Sequence, residues 1–204
     1  MAADQEDAPE IRPSLRLAEL LCARLCRELD GLVDRLSPAH EVADLHARLE
    51  LAQTAWGHGD GIRDMATLRR LAMEQISRGG TGIELVAEDG PIPVKMGQVL
   101  LNLLMVARVC LPCGGTINLG HPAPSEFVLL LDGPAAAWPP GFAGWITNPI
   151  AAWRALDDAR AFQAPLSVLI AADRGCRLSL LMGSGQRAPP LLVSRPHGAA
   201  GSPP

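Results

Sequence analysis

The side chains able to do chemistry in this 204-residue chain are few and fall into three groups. Cys110 and Cys113 have the C-x-x-C spacing of redox and zinc sites. A zinc centre needs a second pair of ligands at suitable spacing, and the other cysteines, Cys22, Cys26 and Cys176, do not provide one. A thioredoxin-like thiol needs the motif to open a helix, whereas here an apolar run ends at it. The pair is therefore read as two small residues in a helix-to-strand turn, and no metal site is expected. The second group is the five histidines. His40 falls at a turn, while His58, His121 and His197 lie in loops or the tail with no ligand spacing. His46 lies beside Leu45 on the edge of an apolar seam. A polar residue on a solvated flank is its ordinary reading, and an exposed imidazole acting as nucleophile is the alternative. The third group is Arg24 and Arg27, cations on the outer side of the first amphipathic segment.

These groups depend on the elements that must carry them. Across LLCARLCRELDGLVDRL, Leu21, Leu25, Leu29, Leu32 and Leu36 recur at spacings of four and three, which predicts one apolar stripe on a helix. Arg27 lies two residues from both Leu25 and Leu29, so it projects from the opposite side. This helix is expected from Pro13 or Ser14 to about Leu36. Ser37 and Pro38 restart a second helix, with Ser as cap and Pro pre-set for the first helical position. Val42, Leu45, Leu49, Ala52 and Trp56 give that helix a seam of coiled-coil type. The two form an antiparallel hairpin over residues 13–57. Such a hairpin cannot bury both faces by itself, so it should pack on the rest of the chain or pair with a second copy as a four-helix bundle.

GHGDG, residues 57–61, marks a boundary. Beyond it, an amphipathic helix is expected over Asp64–Ile76, with Leu68, Leu71 and Ile76 inward, then a strand over Ile83–Val86 and a turn at Gly90–Pro93. A buried helix follows over Val94–Val109, then strands at Thr116–Leu119 and Ser125–Asp132. Asn148 and Pro149 start a helix to about Phe162, and Pro165 another to Asp173. Arg177–Met182 and the PLLVS segment return as strands. The order predicts an α+β sandwich over residues 62–194, with helices on one face of a mixed sheet. Residues 1–12 and 195–204 read as frayed tails.

Composition narrows the function classes. Hydrophobic residues make up 48% and aromatics 3% of the chain, with no Tyr, so Leu, Val, Ile and Ala must fill the core. A net charge of −4 with scattered basic residues leaves no footprint for nucleic acid. The uncharged run from Gly133 to Trp153 holds Pro134, Pro139, Pro140 and Pro149, which exclude a membrane span. MAADQEDAPE has neither the charge nor the apolar run of a secretory signal, so a cytoplasmic protein with free thiols is expected.

QVLLNLLMVARVCLPCGGTINL, Gln98–Leu119, resembles the nucleotide-binding helix and following strand of histidine-kinase ATPase domains. There an acid precedes Asn-Leu-Leu, a second Asn precedes Ala, and a Pro-Gly-Gly-Thr turn follows. Asn102, Leu103, Leu104, Ala107, Pro112, Gly114, Gly115 and Thr116 are kept. The acid position holds Gln98, and the magnesium-holding Asn is replaced by Val106, which offers no hard oxygen. Asp132-Gly133 is similar to the adenine-binding box without its further glycines. Ala164–Leu181 is similar to the last kinase helix and strand without the glycine pair that admits phosphate. The resemblance thus implies a degenerate ATPase-like domain and no nucleotide cofactor.

Hairpin and sandwich together resemble the ChpT-type histidine phosphotransferases, phosphorelay proteins of alphaproteobacteria, over roughly Leu17 to Val193. The family reads Cys-His-Asp where this chain has Cys26, Arg27 and Glu28, and that His is the family's phosphoacceptor. The resemblance implies a homodimer that binds response-regulator receiver domains through Leu20, Arg24, Arg27, Glu28 and Gly31, with a hybrid histidine kinase upstream. It also implies three alternatives. The chain is a receiver-binding pseudo-phosphotransferase, an active phosphotransferase using a non-standard residue such as His46, or a structural interaction module.

Overall fold

The computed structural model describes residues 29, 39–57, 62–75, 81–85, 90–93, 95–157, 162–182 and 188–195. The chain divides into two compact units, Met1–Gly59 and Asp60–Pro204.

In the first unit, helix α1 spans Ala39–Trp56, starting one residue after the Ser37-Pro38 signal. Leu49 and Ala55 are buried, while His46, Ala52 and Trp56 are half-buried. The helix ends at Gly57, whose N–H donates to the Gln53 carbonyl at 2.7 Å. A Cβ at Gly57 would collide with that same carbonyl, so the stop requires glycine. The first helix of the expected hairpin lies outside the described residues, apart from Leu29. Leu29 is helical but 46% exposed, although the stripe expects it to be covered.

The second unit is a five-stranded mixed sheet in the order β1-β2-β3-β5-β4 with helices on one face. The strands are β1 (Thr81–Leu85), β2 (Gly115–Ala123), β3 (Glu126–Asp132), β4 (Arg177–Leu180) and β5 (Leu191–Ser194). Among the described strands only β1 and β2 run parallel, and a parallel pair needs a crossover. Helix α3 (Met96–Val109) lies in that crossover. Alternation along each strand puts one set of side chains beneath the helices. Ile83, Ile117 and Leu131 line up across three strands, as do Leu119, Leu129 and Leu191, and Phe127, Val193 and Leu178. All nine are buried. The opposite face carries Asn118, Val128, Leu130 and Leu192, which are half-buried or exposed.

Helix α2 (Met65–Gln75) starts one residue inside its expected span. It starts where the Asp64 carboxylate accepts the Thr67 N–H at 2.7 Å and the Thr67 hydroxyl at 3.1 Å. Those bonds hold the Asp64 carboxyl below the ordinary carboxylate range. Leu68 and Leu71 face inward as expected, and Ile76 lies outside the described residues. The Gly90–Pro93 segment does more than turn the chain. Pro91 bridges to Asp64, and the Ile92 N–H donates to Arg63 at 2.8 Å, which ties the entry of α2 to the approach of α3. Gly97 then lets α3 lie directly on Ile62, because any Cβ at Gly97 would strike the Ile62 backbone and side chain.

Helix α3 is apolar on nearly all sides because sheet and helices surround it. Every residue from Met96 to Leu104 is buried, and exposure returns at Arg108 and Val109. Burial of each large aliphatic side chain here contributes about 1.5–3 kcal/mol relative to exposure.

Four expectations need correction. The uncharged stretch after Gly133 contains an unforeseen helix, α4 (Phe142–Thr147), and the helix started by Asn148 is short. That second helix, α5 (Pro149–Arg154), is capped as expected, with the Asn148 side chain accepting from Ile150 and Ala151. It gives way to a 3-10 turn at Ala155–Asp157 and does not continue to Phe162. Helix α6 (Gln163–Asp173) begins two residues before Pro165. Strand β4 stops at Leu180, and Met182, expected at the end of the strand, is fully exposed. No helix among the described residues is long and apolar enough to cross a membrane.

Candidate functional site

Gln98, Asn102 and Val106 are four residues apart on α3, so they form one line along the helix. All three are buried, and Asn102 has no exposed surface. The line faces helix α6, which runs antiparallel to α3: the residue just past its end meets Gln98, and its start meets Asn102.

Asn102 is held on three atoms. Its Nδ2 donates to the Gln98 carbonyl at 2.9 Å, one turn back along α3. Its Oδ1 accepts from Gln163 Nε2 at 3.1 Å. Its backbone carbonyl lies 3.4 Å from Ser167 Oγ. The Ser167 hydroxyl shares its proton with the Gln163 carbonyl at 2.7 Å, and its oxygen accepts a second Gln163 Nε2 hydrogen at 3.2 Å. At the other end of the seam, Arg174 Nε donates to Gln98 Oε1 at 2.9 Å. The Arg174 guanidinium also lies 3.5 Å from the Asp173 carboxylate. Among the described residues, every buried side-chain nitrogen and oxygen has a hydrogen-bond partner.

Burying a neutral amide is unfavourable unless it is bonded, so this closed set fixes how α6 sits on α3. It also determines what the site can do. The amides of Gln98 and Asn102 are engaged by the chain itself, and Val106 adds a hydrocarbon surface where a metal would need oxygen. The donor set does not fit a magnesium-bound nucleotide.

Asp132 stands at the exposed end of β3, paired in the ladder with Thr116. The Gly-Gly-Thr turn beside it serves backbone packing. Gly115 has φ +143, and a Cβ there would collide with the Asp132 carbonyl. A Cβ on Gly133 would come within 2.7 Å of the Gly114 carbonyl. The structure therefore brings Gln98 and Asn102 together with Gln163, Ser167 and Arg174, none of which the sequence reading singles out. The one legible signal for them is a polar pair, Gln163 and Ser167, one turn apart on an otherwise apolar helix.

The cysteine motif lies where its turn reading puts it. Cys110 ends α3, its N–H donating to the Val106 and Ala107 carbonyls, and burial pushes its thiol up to about 12. Cys113 is exposed. Burial also pushes the Cys176 thiol up, and the charge of Arg195 partly offsets the rise. Among the described residues no three His, Cys, Asp or Glu side chains are grouped to hold a metal ion. His46 sits half-buried on α1. Leu20, Arg24, Arg27, Glu28 and Gly31 lie outside the described residues.

The fold and this seam can be set beside known proteins. Residues 65–185, more than half of the chain, match the model of the histidine phosphotransferase C-terminal domain. Among solved structures, a bacterial phosphotransferase superposes with a TM-score of 0.54 at 19% identity, covering 95% of this chain and 98% of its own. The histidine kinase domain of the blue-light activated kinase EL346 of Erythrobacter litoralis gives a TM-score of 0.48 at 12% identity, covering 92% of this chain and 94% of its own. At 19% identity the likeness to the bacterial phosphotransferase speaks to fold alone. No curated protein sequence matches at a significant level. The match that spans α2 through β4 and contains the whole α3–α6 seam assigns the family: the chain belongs to the histidine phosphotransferases.

Proposed function

We propose that this chain is a phosphorelay protein that binds response-regulator receiver domains without carrying the phosphoryl group itself. The supporting observation is a histidine phosphotransferase C-terminal domain joined to an N-terminal segment that carries Arg27, on the outer face the leucine spacing predicts, at the position where the family resemblance places the phosphoacceptor. A phosphoacceptor needs a neutral nitrogen lone pair, and a guanidinium stays protonated at any physiological pH. Arg24 and Arg27 on that face suit the acidic phosphorylation pocket of a receiver, which would attract them. The chain then acts by occupying or presenting receivers, as a competitor or scaffold beside a hybrid kinase. In this reading residues 13–57 form the docking and dimerising hairpin in a cytoplasmic homodimer, and residues 62–194 form the supporting domain. The closed seam around Asn102 further supports a protein that does not use ATP as a kinase does.

The test is incubation with a receiver domain phosphorylated on its aspartate, read both by calorimetry and by phosphate on this chain. Binding with no acid-labile phosphate on this chain is the expected result. Acid-labile phosphate that disappears in His46→Ala would replace this reading with a phosphotransferase working from His46. Absence of binding to every receiver tested would leave a structural module.

A further inference from the structure

We draw no further inference here: the strongest candidate, the surface patch of the two short helices α4 and α5 where Ile150 and Trp153 are exposed beside Arg154, is an unpartnered apolar face, and nothing in the structure shows what covers it.

Discussion

Gln163 Nε2 and Asn102 Oδ1 lie 3.1 Å apart, a hydrogen bond between residues 61 positions apart in sequence. It joins the start of α6 to the middle of α3 at a point where Asn102 is completely buried. Asn102→Leu takes away the side-chain bonds made at that buried point, to the Gln98 carbonyl and to Gln163. Asn102→Leu should therefore lower unfolding stability by about 1–3 kcal/mol in urea titrations. With Gln163→Leu and the double variant, the cycle should show a coupling of about 0.5–3 kcal/mol. Simple additivity would mean that the bond contributes nothing of its own.

The same bonds bear on nucleotide binding. A fluorescent ATP analogue titrated with magnesium should give a flat signal for the native chain. Val106→Asn alone should stay flat, because Gln98 and Asn102 remain engaged by Arg174 and Gln163. A saturable signal from either protein would overturn the proposal that this domain works without ATP.

Arg27→His tests the first unit by itself. If Glu28 can orient an imidazole as an adjacent acid does, the variant should gain acid-labile phosphate from a phosphorylated receiver where the native chain gains none. A variant that binds receivers with unchanged affinity yet remains unphosphorylated would show that more than the nucleophile differs from the active members.

The Cys110 thiol gives a pH signature. Its folded value lies above its ordinary value of 9.0, at about 12, because burial disfavours the thiolate. The unfolded chain then loses its proton first, so the contribution is complete below about pH 9 and is lost as pH rises towards about 12. Cys110→Ala should flatten the fall in stability over that window. In the folded protein at pH 8, a thiol reagent should label the exposed Cys113 well before Cys110. Equal rates would show that Cys110 is open to solvent.

Much of this architecture is legible in the residues. The apolar run of α3 announces a helix buried on all sides, and the short apolar runs of β3 and β5 announce strands, but not which face is covered, because Val128, Leu130 and Leu192 on the other face are apolar too. Asn148-Pro149 marks a helix start through a cap that needs only local atoms. What escapes is of two kinds. Helix α4 is six residues among glycines and prolines, held by packing against α5, α6 and β4, so local preference argues against it. The partners of Gln98 and Asn102 escape because Arg174 and Gln163 are 76 and 61 positions away, and no periodicity links them. The residues at the degenerate positions could be named from sequence; that they are locked to α6 could not.

The strand order also governs how the sheet can assemble as the chain is made. Among the described strands β5 is the last in sequence, yet it lies between β3 and β4. β4 pairs with no other strand, so when it is synthesised it has no ladder to join. The ribosome must release Leu191–Ser194 before the sheet can close. Until then β3 and β4 each keep open the edge that β5 later covers, and these are edges a chaperone would have to shield.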